Sequence, residues 1–214
     1  MAVEPPVDTA ISLPFPLAPV TELVRPACPA DEADWARAAA DGDKAAFSRL
    51  VEKHKQSVHG LCFRMLGAGE EARDAAQETF VRAYRGFDSL REETRLSTWL
   101  FAIAKNVARE SLRTRRRDAG NVEIDGESAF ELHDHARTPA GQLLDKELSG
   151  VIQKALMRLD EDKRLVFTLK VLQQRSYEEI AEITGFSVGK LKTDLHRARA
   201  EMRRRIGPYL GGEQ

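Results

Sequence analysis

The chain has 214 residues, 42% hydrophobic and 31% charged, with a formal net charge of -1. This balance excludes a disordered or membrane-embedded chain, and the length accommodates two small domains. Two cysteines without CxxC spacing, and no apolar leader, give no metal site and no cofactor, with the cytoplasm as the expected compartment. Ala, Glu, Arg, Leu and Lys dominate, and valine and isoleucine fall mostly within helical spacing. The expected fold is therefore all-α, with two small helical domains joined by a flexible acidic linker. The near-zero net charge hides a segregation: basic clusters at residues 113–117 and 190–205 lie on either side of an acidic stretch, which implies two separate basic surfaces.

Seven of the nine prolines fall in the first 29 residues, so residues 1–30 read as a flexible extension. Its Ile11, Leu13, Phe15, Leu17 and Val20 leave docking on this chain or a partner as the alternative. A first domain is expected over 31–117. Trp35, Ala38 and Ala39 begin a helix that pauses at Asp41-Gly42-Asp43. In the next helix Phe47, Leu50, Val51, His54, Val58, Leu61, Cys62 and Met65 keep helical spacing until Gly67 and Gly69. His54 and His59, five apart, face different ways and suggest no shared metal, and Cys62 reads as a buried free thiol. A third helix over 70–87 turns Ala72, Ala76, Phe80, Ala83, Tyr84 and Phe87 inward, with Asp74, Gln77, Glu78 and Arg82 projecting elsewhere.

A polar loop follows, then a helix with Leu100, Ile103, Ala104, Val107 and Leu112 inward. Trp99, Ala102, Asn106, Arg109 and Arg113 form a second stripe on it. An aromatic ring, an amide and two guanidinium groups in line suit unpaired DNA: bases stack on the ring, the amide reads a base edge and the arginines hold phosphates. The alternative makes Trp99 a core anchor and the basic run a solvated helix end.

Residues 118–142 are acidic and rich in small residues, a linker composition in which His133-Asp134-His135 finds no further metal ligand. A second domain is expected over 143–210, with Leu148, Val151, Ile152, Ala155, Leu156 and Leu159 on one helix. Asp160 is the expected N-cap of the next, which buries Leu165, Val166, Leu169 and Leu172. Residues 176–205 read as a helix-turn-helix. Ser176 and Glu179 form a capping box, Ile180, Ala181 and Ile183 are buried, Gly185 supplies the turn and Ser187 caps the second helix. Val188, Leu191, Leu195, Ala198 and Met202 make a core stripe. Lys190, Thr193, His196, Arg197 and Arg204, flanked by Lys192, Arg199 and Arg203, face away. Seven Lys or Arg against Asp194 and Glu201 over this stretch favour a nucleic-acid backbone. GFSVGK lacks phosphate-loop spacing and no nucleophile and base are paired, so the chain is expected not to be an enzyme.

The stretch Asp74, Gln77, Glu78, Thr79, Phe80 spells DxxQETF, which resembles the most recognisable segment of the extracytoplasmic-function (ECF) group of bacterial sigma-70 family sigma factors. The resemblance implies that this helix docks on the clamp helices of core RNA polymerase, with Asp74, Gln77 and Glu78 as contacts. The loop, TWLF-IA-N-A and basic run are similar to the group's promoter-melting region, implying minus-ten contacts by Arg91, Trp99, Asn106, Arg109 and Arg113. There the loop captures a flipped base. Relatives commonly place glycine after the loop arginine, whereas Glu92 and Glu93 follow Arg91 here. The helix-turn-helix would then meet the minus-thirty-five element through Tyr177, Lys190, Lys192, Thr193, His196, Arg197 and Arg199. Lys192, Thr193 and His196 stand at base-reading positions, and Lys190 and Arg197 nearer the backbone. The implied partners are core RNA polymerase, promoter DNA and an anti-sigma factor, without membrane insertion. The competing reading is a helix-turn-helix transcriptional regulator with an N-terminal sensory domain, which has no need for DxxQETF followed by a single-strand face.

Overall fold

The computed structural model describes residues 30–67, 69–87, 90, 95–118 and 139–210. The proline-rich extension, Arg91 with Glu92 and Glu93, and residues 119–138 of the expected linker lie outside them. All regular structure among the described residues is helical. α1 (Ala30–Ala40), α2 (Lys44–Leu66), α3 (Gly69–Arg85) and α4 (Leu96–Asp118) build the first bundle. The second comprises α5 (Pro139–Met157), α6 (Glu161–Phe167) continued by a π-helical turn (Thr168–Leu172), α7 (Tyr177–Thr184) and α8 (Val188–Leu210). α5 starts inside the stretch expected to be linker, because proline is tolerated in a first helical turn, where no N–H is needed.

Local chemistry fixes the ends of α2. The Asp43 carboxylate accepts from the Ala45 and Ala46 amides, and Gly67 terminates the helix in the left-handed region at φ 81°. A Cβ at Gly67 would meet only the flexible end of the Met157 side chain, so it is the backbone conformation that calls for glycine.

In the first bundle the core joins Leu50, Val58, Leu61, Cys62 and Met65 of α2 to Ala72, Ala75 and Ala83 of α3 and Leu100, Phe101 and Ala104 of α4. The inward side of α3 is a row of alanines with Thr79, small enough for α2 and α4 to close on it. Tyr84, expected inward, is consequently displaced to the rim and is 46% exposed. Phe80 is half-buried. Burial pushes the Cys62 thiol up to about 12, against a hydrogen bond with Thr79. α1 is clasped by Glu32, which is buried and receives His54 Nε2 at 3.0 Å and the Lys53 ammonium. His54 is thus engaged by a carboxylate, and the described residues contain no group of side chains able to hold a metal.

The same core continues into the second bundle through Leu156, Leu159, Leu165, Val166, Leu169, Ile180, Ile183, Leu191, Leu195, Ala198 and Met202. Two expected members stand at its edge, Val188 at 39% and Leu172 at 37% exposure. Asp160 precedes α6, but its side chain caps no amide; it pairs with Lys163 at 2.7 Å.

The two bundles pack on each other. The last turn of α2 leaves carbonyls without helical partners, and side chains from elsewhere supply donors. Arg164 Nη1 reaches Met65 O at 2.8 Å and Arg115 Nη1 reaches Leu66 O at 3.1 Å, while Gln153 Nε2 adds a second donor, at 3.0 Å, to Phe63 O, which already accepts from the Gly67 amide. On the other side, α4 lies against α7. Lys105 donates to Ile183 O at 2.7 Å, in the last turn of α7, where a cation also suits the helix dipole. Arg175 stacks 4.5 Å over the Phe101 ring and donates to Ser97 at 3.1 Å. Among the described residues no helix is long and apolar enough to cross a membrane.

Candidate polymerase and nucleic-acid interfaces

Between α2 and α3 runs an open groove of about 1130 Å³, walled by Phe47, Val51, Phe80 and Tyr84 and edged by Lys44, Lys55, Arg73 and Arg85. Its aromatic wall is ordered edge-to-face, with Phe47 5.0 Å from Tyr84 and 5.8 Å from Phe87. Gln77 lines this groove, and Asp74 is exposed. Glu78, four residues after Asp74, stands beside it on the same side of α3 and pairs with Arg82 at 2.8 Å.

Trp99, Asn106, Arg109 and Arg113 do come together. With Ile103, Arg82, Gly86 and Glu110 they line a polar cleft of about 420 Å³ between α3 and α4. Trp99 serves both readings of its sequence: its ring meets Phe87 edge-on at 5.6 Å and also faces the cleft. Arg82 bridges Glu78 and, at 2.7 Å, Glu110. Hydrogen bonds to Glu110 and then Glu78 raise its basicity, and the same contact holds Glu110 below the usual carboxylate range. Arg113 is exposed. Arg109 is held, with Nε 2.8 Å from Glu161 in an ion pair not aligned as a hydrogen bond, and Nη2 2.7 Å from Asp162. Arg91 lies outside the described residues.

In the helix-turn-helix, the Ser176 hydroxyl accepts from the Glu179 amide at 3.1 Å and the Glu179 carboxylate from the Ser176 amide at 2.8 Å. Gly185 sits at φ 76° and the Ser187 hydroxyl accepts from the Lys190 amide at 3.3 Å. With Leu191, Leu195, Ala198 and Met202 buried, the opposite face of α8 presents Lys192, Thr193, His196, Arg197 and Arg199 to solvent. Tyr177 lies half-buried beneath Lys170 at 4.6 Å and Lys192 at 5.9 Å. Lys190 is tethered by Asp162 at 2.9 Å and Asp194 at 2.6 Å, above the Phe186 ring at 3.7 Å. Burial lowers its basicity, but the two carboxylates outweigh this and raise it.

The chain thus joins an apolar groove with a basic edge, a polar cleft with an aromatic wall, and an exposed basic face on α8. Sequence reasoning missed the Arg82–Glu110 tie and the Glu161 and Asp162 contacts. The Glu78–Arg82 and Lys190–Asp194 spacings of four were open to detection from sequence.

The Sigma-70 region 2 family model matches residues 50–118, and the Sigma-70 region 4 model matches residues 149–202. The ECF RNA polymerase sigma factor SigW of Bacillus subtilis (strain 168) is 35% identical over 170 residues, spanning 77% of this chain and 91% of SigW. The ECF RNA polymerase sigma-E factor of Haemophilus influenzae is 35% identical over 174 residues, covering 79% of this chain and 92% of that protein. Among solved structures, the sigma factor RpoE in complex with the anti-sigma factor NepR from Bartonella quintana superposes with TM-score 0.62 at 25% identity, covering 75% of this chain and 96% of RpoE. CnrH in complex with the cytosolic domain of CnrY shares the fold, with TM-score 0.61 at 24% identity over 83% of this chain and 98% of CnrH. With both sigma regions in order and this identity over most of each relative, the chain belongs to the ECF group of the sigma-70 family of RNA polymerase sigma factors.

Proposed function

We propose that this alternative sigma factor docks on core RNA polymerase through the α2–α3 groove, holds single-stranded minus-ten DNA in the α3–α4 cleft and reads the minus-thirty-five element with α8. The observation that carries this reading is the convergence of Trp99, Asn106, Arg109 and Arg113 on one cleft. A stacking ring, a base-reading amide and phosphate-binding guanidiniums there match the needs of unpaired DNA. A sensory domain has no use for that combination. The factor acts by binding, and catalysis stays with the polymerase. An anti-sigma factor is the proposed regulator, as the relative RpoE is seen with one.

The direct test is in vitro transcription with purified core polymerase on a library of promoters. Selective initiation supports the assignment, and failure with a core that responds to another sigma factor overturns it.

Two finer predictions follow from the geometry. Trp99→Ala with Asn106→Ala is expected to reduce open-complex formation at least about tenfold, since each stacked base contributes about 1–3 kcal/mol. Duplex binding should hardly change. Permanganate footprinting beside a gel shift distinguishes the two, and equal losses would remove the melting role. On α8, replacing Lys192, Thr193 or His196 should cost about 1–3 kcal/mol at one promoter position, whereas replacing Arg197 should weaken all sequences alike. Binding selection from randomised duplexes reads this difference; a uniform profile for the first three would sink their base-reading role.

A further inference from the structure

Glu161 and Asp162, in the first turn of α6, belong to neither DNA-binding surface, yet they grip both. Asp162 Oδ1 holds Arg109 Nη2 at 2.7 Å, while its other oxygen, Oδ2, holds Lys190 Nζ at 2.9 Å. Glu161 takes Arg109 Nε at 2.8 Å and Arg116 Nη2 at 3.3 Å. Arg109 and Arg116 come from the helix that walls the minus-ten cleft, and Lys190 from the first turn of the recognition helix. The paired oxygens satisfy these cations as a backbone phosphate would, by charge-assisted contacts. The Arg109 side chain is left only 21% exposed. The Phe186 ring lies beneath both cations, 5.9 Å from Arg109 and 3.7 Å from Lys190, and so holds them to one spot.

We infer that Glu161 and Asp162 are an internal phosphate surrogate, a latch that closes the two DNA-binding modules on each other and must yield before both can engage a promoter. The inference rests on the promoter-binding reading above. A single carboxylate shared by Arg109 and Lys190 keeps these two groups within a few ångströms. Minus-ten and minus-thirty-five elements lie about 25 base pairs apart, roughly 80 Å at 3.4 Å per pair. The closed chain cannot span that distance, so occupation of both elements requires Arg109 and Lys190 to part. Nucleic-acid phosphates then replace the carboxylates on the same cations, and the two ends of the exchange differ little in charge pairing. Lys105 on Ile183 O and Arg175 on Phe101 define the same closed arrangement, and Glu179 of α7 pairs with Arg175 and with Arg95 at the longer distance of 3.5 Å, so the short acid contacts between α4 and the second bundle are those of α6.

The test uses the full chain carrying Glu161→Gln and Asp162→Asn, without polymerase. Small-angle X-ray scattering should show an increased radius of gyration. Affinity for a 30-base-pair random duplex, measured by anisotropy, should rise about fivefold or more, the range of ordinary coupling between sites. Glu52→Gln with Glu182→Gln, the same charge change at two other exposed positions, controls for net charge and should give neither effect. An unchanged radius overturns the latch, and so does an affinity gain no greater than that of the control. Asp162→Asn alone, at a side chain 41% exposed, provides the same readouts if the double variant does not fold. Scattering involves no DNA or polymerase, so its failure is separable from a failure to initiate transcription, which would instead remove the promoter reading.

Discussion

Tyr84→Ala is expected to weaken binding of the factor to core RNA polymerase about 30-fold, the effect of losing an interface anchor of about 2 kcal/mol. Tyr84 is the most exposed apolar group of the α2–α3 groove, and its ring is held edge-on to Phe47 rather than free to rotate. An aromatic side chain fixed in this way meets a partner at small entropic cost. Because 46% of the residue is already in water, truncation should leave the bundle intact. Anisotropy titration with labelled factor measures the affinity, and thermal melting by circular dichroism checks the fold. An affinity within twofold of the unaltered chain would exclude the groove as the docking face. Charge reversal at Glu78 is a less discriminating probe: it also releases Arg82, and with it the wall of the cleft that Arg82 shares with Glu110.

The second large effect concerns stability in acid. The hydrogen bond from His54 is the main cause that holds the Glu32 carboxyl at about 2, assisted by Lys53 and opposed by burial. A group with a depressed value binds fewer protons in the folded chain than in the unfolded one. Its contribution is therefore complete above the ordinary value of 4.5 and is lost as pH falls from there through about 2. The gap corresponds to an upper bound of roughly 3 kcal/mol. Glu32→Gln should accordingly lower stability at neutral pH by about 2 kcal/mol and flatten the decline between pH 4.5 and 2. Glu110, held low by Arg82, leaves a residual slope of the same sign. Urea titrations at pH 7, 4.5 and 3 provide the measurement. Parallel curves for the two proteins would show that the clasp of α1 does not couple to protons.

The features legible in the sequence are those whose causes are local. Ser176, Glu179, Gly185 and Ser187 each act within four residues, and the structure realises each of them as expected. The Trp99, Asn106, Arg109 and Arg113 stripe was legible because helical periodicity alone aligns side chains on one face. Periodicity does not say whether another element covers that face, which is why Tyr84, Val188 and Leu172 emerged in solvent. Asp160 has the chemistry of a cap, but Lys163 competes for it, and propensity cannot rank those two partners. The least visible contacts are the most distant. Arg82 and Glu110 stand 28 residues apart, and Arg109 and Asp162 stand 53 apart across the linker. Nothing near these residues announces their partners: the packing of α3 on α4 creates the first pair, and the packing of α4 on the second bundle creates the second.

That packing changes what a count of positive charges means. Lys105, Arg115 and Arg175 are engaged with carbonyls, a hydroxyl or an aromatic ring, and Arg109 and Lys190 with α6. A cation with an internal partner carries few condensed counterions to exchange. The ionic-strength dependence of DNA binding therefore registers only those groups that meet phosphate. Lys192, Arg197 and Arg199 are exposed on α8 whether or not the bundles separate. Arg109 and Lys190 join them only once α6 has let go, which steepens the slope of log K against log salt by about 2. The steepness of that line thus becomes a gauge of how far the molecule has opened, readable from binding curves alone.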